Sequence, residues 1–395
     1  MLDSLLRPSR APAVDPTLTA ALAQAAAALA RLDQALTGHP LLPALLHRAR
    51  LAAVRRQAAA DGLAIDPWHL AAVLEGLRLR MDHALRVIDR GAIFAAARHA
   101  LDLHQWLTAP DRDQEAAVRR AEQRLAAAVS GTTPLLAAAS GLHAWLGGDR
   151  RSDGDGGGDG PGGGGARPPM RAALVRFWVN QRLLRAPVPL TGERALHPDT
   201  PWPPTAWVPV FLTALADEAD DALDLLCALE RAWRAARRAV ASRRRHSRAA
   251  AAVDILAAAP LVSATSLAAG LDMAVKNAAA LLDAFCAAGI AVEVTHRAKR
   301  RLFGLTGLAP LRDVVRPPYR PEPGRGRGRP RHDEPALPAD TAALALPSLS
   351  PLDRRAFDYS DLSHWMAHME QTIRHTRRTL ATLTSSGHSP LHTGS

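Results

Sequence analysis

The sequence predicts a mainly α protein: a helical bundle followed by a winged helix-turn-helix and a C-terminal helix. Three observations point there. From Thr17 to Thr108, leucines and alanines recur at helical spacing and no strand alternation interrupts them. From Arg248 to Leu305, three short helical segments precede two short alternating strands. From Asp358 to Leu383, an apolar stripe of Leu362, Trp365, Met366, Met369, Ile373 and Leu380 follows the 3.6-residue period.

Residues 1–146 form the expected N-terminal helical region. Its first 16 residues hold several prolines and read as loose. Leu22, Leu29, Leu32 and Leu36 mark a first helix, closed by Gly38, His39 and Pro40, and a second runs from Leu41 to Ala60. Asp66 is placed to cap a third helix with Pro67 in its first turn. That helix, from Trp68 to about Arg80, leads toward a fourth from Asp82 to Trp106, and Asp111–Val129 and Thr133–Trp145 add two more.

Residues 147–169 read as a Gly-rich flexible linker. The run SDGDGGGDGPGGGG cannot bury apolar surface. It lacks the Lys-Ser/Thr that ends a phosphate loop and the ligand order of a calcium loop. Residues 170–247 form a second helical region. Met170–Leu184 is helical, the Pro-rich stretch after it contains Leu190, Leu196, Trp202 and Trp207, and Trp207–Leu229 is a helix. Its acidic patch of Asp217, Glu218, Asp220, Asp221 and Asp224 reads as a solvated face or a partner for nearby arginines. Arg231–Arg248 holds eight arginines in eighteen residues, suited to phosphate contact or to pairing with that patch.

Residues 248–309 carry the winged helix-turn-helix. Val253, Ile255 and Leu256 lie on a first helix that Pro260 ends; Ser263 caps a second, with Leu267, Ala268 and Leu271 as its packing side. The third runs from about Met273 to Ala288, with Asp272 as its expected cap and Gly289 as its stop. Strands Ile290–Thr295 and Arg301–Leu305 flank the basic loop HRAKR. Such a unit places its third helix in the major groove and its wing on phosphate. Lys276 and Asn277 are the expected base readers; His296, Arg297, Lys299, Arg300 and Arg301 are the expected wing contacts.

Residues 310–350 are Pro- and Arg-rich and read as disordered. Within them Arg325, Arg327, Gly328, Arg329, Pro330 and Arg331 form an AT-hook-like motif, slim enough for a narrow A·T minor groove. Residues 351–385 hold the C-terminal amphipathic helix, which needs a partner surface to be stable. Its His364, His368 and His375 read as solvated side chains, because HWMAH lacks the glutamate of the zinc-protease motif.

Charge placement supports a nucleic-acid partner. Of 49 basic residues only Lys276 and Lys299 are lysines, so arginine abundance by itself carries little meaning. Between Glu230 and Arg331 there are 20 Lys and Arg against 7 Asp and Glu, a net of +13; the whole chain is +11, which leaves −2 elsewhere. Cys227 and Cys286 read as small core residues in a reducing compartment. No signal peptide or apolar span is evident, so the expected location is cytoplasmic. No nucleophile-base pair, metal set or phosphate loop stands out, so the expectation is a non-enzyme without a cofactor.

The segments ALARLDQAL, HRARLAAV followed by DGLAID, PLTGERAL, TPW, and ILAAAPLVSATSLAAGL through AAGIAVEVTHRAKRRLFGL occur in this order. Over most of its length the chain resembles an uncharacterised rhizobial-type bacterial family with a helical body and a C-terminal helix-turn-helix. The N-terminal helices and winged tail are also distantly similar to the flanks of Fic-type AMP-transferases. That class works through a His-Pro-Phe…Gly-Asn-Gly-Arg loop, and here His39-Pro40 and His197-Pro198 lack the glycine-arginine sequel. The resemblance therefore implies no catalytic residue. The expected function is double-stranded DNA binding by a transcriptional regulator or plasmid-associated factor, with self-association through the helical regions. The alternative is a non-enzymatic helical scaffold with a degenerate winged domain.

Overall fold

The computed structural model describes residues 15–76, 87–152, 166–241, 247–295 and 301–311, together with Gln371 and Arg374. Within them the protein is mainly helical, with a small sheet near the C-terminal end of the described chain. No helix among the described residues is long and apolar enough to cross a membrane.

Helix α1 (Pro16–Leu36) begins where its sequence demands. The Asp15 carboxylate accepts from the Thr17 N–H at 2.9 Å, and Pro16 sits where no N–H is needed. Ala21, Ala25, Ala28, Leu29, Leu32 and Leu36 are buried along one stripe that packs on α8 (Pro204–Val240). The alanines let the two axes approach closely. Between them in sequence lie α2 (Leu42–Ala60), α3 (Pro67–Leu74), α4 (Val87–Thr108), α5 (Arg112–Ala128), α6 (Pro134–Ser152) and α7 (Arg167–Asn180). Asp66 caps α3 as expected, accepting from the Trp68 N–H at 2.6 Å.

Several boundaries differ from the sequence reading. Helix α3 stops at Leu74, and Gly76 follows in the left-handed region. Helix α6 runs through Ser152, past the expected start of the Gly-rich linker, and α7 already begins at Arg167. The acidic segment and the first part of the arginine-rich one, through Arg238, belong to the single 37-residue helix α8, about 55 Å long at 1.5 Å per residue. Nothing between Leu229 and Arg231 breaks a helix, so the change from acidic to basic composition marks no structural boundary. Cys227 is exposed on α8 rather than in the core.

The C-terminal unit comprises α9 (Ala249–Ala258), β1 (Val262–Ser263), α10 (Ala264–Leu271), α11 (Val275–Ala287), β2 (Ala291–Glu293) and β3 (Leu302–Leu305). The three strands form an antiparallel sheet in the order β1-β3-β2, with Val262 opposite Phe303 and Val292 opposite Gly304. Strand β1 was not foreseen, because two residues give no measurable alternation. Gly304 is required by close packing: a Cβ there would lie 2.5 Å from the Ala309 Cβ and 2.8 Å from the Pro260 carbonyl oxygen.

One apolar core runs from α1 and α8 through α9 to Phe285 and Phe303. Helix α9 rests on both α2 and α8. A smaller apolar cluster joins Trp68, Ala71 and Ala72 of α3 to Leu261, Val294 and Leu302 around the sheet. The C-terminal unit is therefore docked on the helical body.

Candidate nucleic-acid interface and its polar anchors

Helix α11 presents two contrasting sides. Ala278, Leu282 and Phe285 are buried against the unit. Lys276 and Asn277 are exposed, and Val275 is 50% exposed beside them. The main neighbours of α11 among the described elements are α10 and β2. The expected cap is absent. Asp272 does not cap α11 but ends α10 with φ 48°, and the N-cap of α11 is Ala274, which has no side-chain acceptor. A short carboxylate tolerates the left-handed conformation, so Asp272 can end α10 without a glycine.

Arg301 is the one expected wing residue among the described residues. Its guanidinium pairs with Asp283 on α11 and sits 4.8 Å from the centre of the Phe303 ring. Its charge is thus locally neutralised, and it ties the start of β3 to α11. His296, Arg297, Lys299 and Arg300 lie outside the described residues, as do Arg325, Arg327, Gly328, Arg329, Pro330 and Arg331. Of the C-terminal helix only Gln371 and Arg374 are described; both are helical and exposed.

The most organised polar chemistry sits behind the interface. Arg48 on α2 is buried, and its guanidinium donates to the carbonyls of Ala257 (2.6 Å), Leu256 (3.0 Å), Ala259 (2.8 Å) and Leu308 (3.3 Å). The last carbonyls of a helix have no partners within it, and a cation there also meets the negative end of the helix dipole. The planar fork of arginine suits such a set of acceptors. Burial pulls the Arg48 pKa down to about 10, which leaves it charged at neutral pH.

Two more anchors join body and unit. Glu75, just after α3, accepts from the Ser263 N–H at 3.1 Å and the Ser266 hydroxyl at 2.6 Å. Ser263 itself caps α10 as expected, accepting from the Ser266 N–H at 3.0 Å. Burial raises the Glu75 pKa above the usual carboxylate value. On α9, Asp254 accepts from Trp233 Nε1 at 2.7 Å and pairs with Arg237 at 3.3 Å, both on α8. Part of the arginine-rich run is thus committed to holding the unit in place.

Deeper in the body, Arg171 is 1% exposed and bridges two carboxylates, reaching Glu193 at 2.6 Å and Asp61 at 2.8 Å. Asp61 also meets His99 at 2.9 Å and Arg167 at 3.1 Å. Burial alone would raise the Asp61 pKa, but Arg171, His99 and Arg167 together outweigh it and the pKa is lowered. Glu218, one of the residues read as a solvated acidic patch, is buried and accepts from the N–H groups of Thr191 (2.7 Å), Gly192 (3.1 Å) and Glu193 (2.9 Å). Gly192 has φ 67°, and a Cβ there would strike the Phe211 ring at 2.5 Å. Asp217 and Asp220 of the same patch do pair with arginines, Arg194 and Arg31.

A buried histidine pair lies between α2 and α4. The rings of His47 and His104 are 6.5 Å apart, and both nitrogens of His47 lack a hydrogen-bond partner. Among the described residues, no group of three or more His, Cys, Asp or Glu is arranged to hold a metal ion. The sequence reading missed Arg48, Asp61, Arg171 and Glu193 as interacting groups. Arg48, Asp61 and Glu193 lie in HRARLAAV, DGLAID and PLTGERAL, and Arg171 lies in none of these segments; nothing in the sequence reveals what the four pair with. No protein-family model matches the chain, and no curated protein matches it.

Proposed function

We propose that the chain is a non-enzymatic DNA-binding protein of the winged helix-turn-helix type, acting as a transcriptional regulator or plasmid-associated factor. The observation that carries this reading is the uncovered N-terminal half of α11, with Lys276 and Asn277 exposed on a unit otherwise anchored to the body. The order helix, short strand, two helices and hairpin, with sheet order β1-β3-β2, supports it, because that arrangement sets a third helix outward for a major groove. The local excess of cationic side chains supports a polyanionic partner. Phosphate contacts then supply most of the affinity, since Lys276 and Asn277 are few readers for a base sequence. The AT-hook-like Arg325–Arg331 adds a second, minor-groove contact that raises local concentration.

A salt titration of the full chain on random duplex DNA tests this. The logarithm of affinity is expected to fall linearly with the logarithm of salt, by about 0.9 for each phosphate neutralised. On a selected site, Asn277→Ala should lose about 1–3 kcal/mol of discrimination against the wrong base. No binding at low salt would favour a protein-binding scaffold. The half-exposed Val275 at the head of α11 is the observation on that side.

A further inference from the structure

We infer that the cleft between α2, the loop before Thr191 and α8 binds a small zwitterion: an aliphatic α-amino acid of about leucine size. This does not depend on the DNA reading. The cleft holds about 260 Å³. That lies just below the roughly 300–1,000 Å³ of pockets for drug-sized ligands, so it suits a small metabolite. Val188, Leu190, Ala222 and Leu225 supply an apolar wall. On the α2 side, Ala49 and Ala52 keep the space open because their side chains end at Cβ.

The charged groups select the ligand class. Arg56, Glu218 and Asp221 also line the cleft. Glu218 and Asp221 are three residues apart on α8 and so share a face. Arg56 Nε lies 3.7 Å from Glu218, so all three charges gather at one side. Glu218 is already committed to three backbone N–H groups. At 3.7 Å the Arg56 contact is too long for a hydrogen bond, and Arg56 Nε is buried with no acceptor. Asp221 is exposed, and its side chain has no ion pair or hydrogen bond to another described residue.

The cleft therefore offers one guanidinium that faces Glu218 without a hydrogen bond to it, and one carboxylate with no partner among the described residues. A simple carboxylate would engage Arg56 but meet repulsion from Asp221 and Glu218. A simple amine would engage Asp221 and leave the Arg56 donor idle. An α-amino acid answers both: its carboxylate accepts from the guanidinium, its ammonium donates to Asp221, and its alkyl chain lies on the apolar wall.

Isothermal titration and thermal melting of the full chain test this with three probes: L-leucine, 4-methylpentanoate (no ammonium) and 3-methylbutylamine (no carboxylate). L-Leucine should bind and raise Tm, and the other two should bind at least about tenfold more weakly. Arg56→Gln and Asp221→Asn should each weaken leucine binding at least about tenfold. If either variant loses structure by circular dichroism, Ala52→Leu takes its place; it fills the cleft from its partly exposed edge and should also abolish binding. The inference is overturned if leucine gives neither heat nor a Tm shift at about 10 mM, a concentration far above any useful affinity. It is equally overturned if the three probes bind alike, or if folded variants bind leucine as the parent does.

Discussion

The seam between the helical body and the α9–α11 unit fixes its charged groups in buried geometry. The outer face of α11, by contrast, carries Lys276, Asn277 and Asp283 among alanines and a valine. Arg48 closes the end of α9 with three hydrogen bonds and reaches Leu308 with a fourth, and Glu75 holds the start of α10. On the exposed side, Arg301 is turned back to Asp283. The difference teaches that directional hydrogen bonding here orients the unit, while the presented face is left chemically sparse. Orientation is demanding because a buried donor or acceptor without a partner costs its full desolvation. An exposed face has water to satisfy it.

The comparison breaks most visibly at the buried arginines. Arg171→Met leaves Glu193 and Asp61 without their shared cation, and should cost about 3–5 kcal/mol in urea unfolding, the usual loss when one partner of a buried pair is removed. Arg48→Met should cost less, about 2–3 kcal/mol, because it strands neutral carbonyls rather than carboxylates. An unchanged urea midpoint in either variant would contradict the assignment.

Acid should weaken the body next. His47 is held well below the usual histidine range by burial first, then by His104, Arg50 and Arg48. Burial, with Arg50, lowers His104 to about 3. Both folded values are depressed, so the unfolded chain takes up protons first, near pH 6.5. The stabilisation is complete above that pH and is lost as pH falls toward the folded values. The loss is about 1.4 kcal/mol per pH unit for each histidine. Urea midpoints at pH 7, 6 and 5 should show it, and the double variant His47→Leu, His104→Leu should flatten the slope over this range.

The smallest effect sharpens the contrast from the exposed side. Ala274→Ser supplies the missing cap of α11 and should add about 1 kcal/mol. It changes neither Lys276 nor Asn277, so affinity for DNA should stay within about twofold, a difference of only a few tenths of a kcal/mol. A large change in affinity would mean that the head of α11 reads through its backbone rather than through those side chains.

The sequence made the C-terminal unit legible because its signals are local. Pro260 ended α9, Ser263 capped α10 and Gly289 stopped α11, each within a few residues of the element it governs. The mainly helical class was legible for the same reason. The anchors were not. Arg48 meets Ala257 across 209 positions, and Arg171 meets Asp61 across 110. No spacing rule links residues that far apart. Glu218 was hidden by its neighbours: a buried carboxylate inside an acidic run has the same composition as a solvated one. Asp272 misled because an aspartate just before a helix fits both a cap and a left-handed turn, and the backbone chose the turn. Of the expected site, Lys276 and Asn277 are exposed at the head of α11, and the pairing of Arg301 with Asp283 across 18 positions is one that no local pattern nominates.

The unbroken length of α8 has a mechanical consequence. A stiff rod of about 55 Å that lies along α1 and meets α9 near its C-terminal end transmits rotation as well as position. If two copies meet through their bodies, the separation and angular phase of their α11 helices follow from that rod rather than from any hinge. Under the DNA reading, paired half-sites would then be tolerated only at spacings that differ by a whole helical turn, about 10 base pairs.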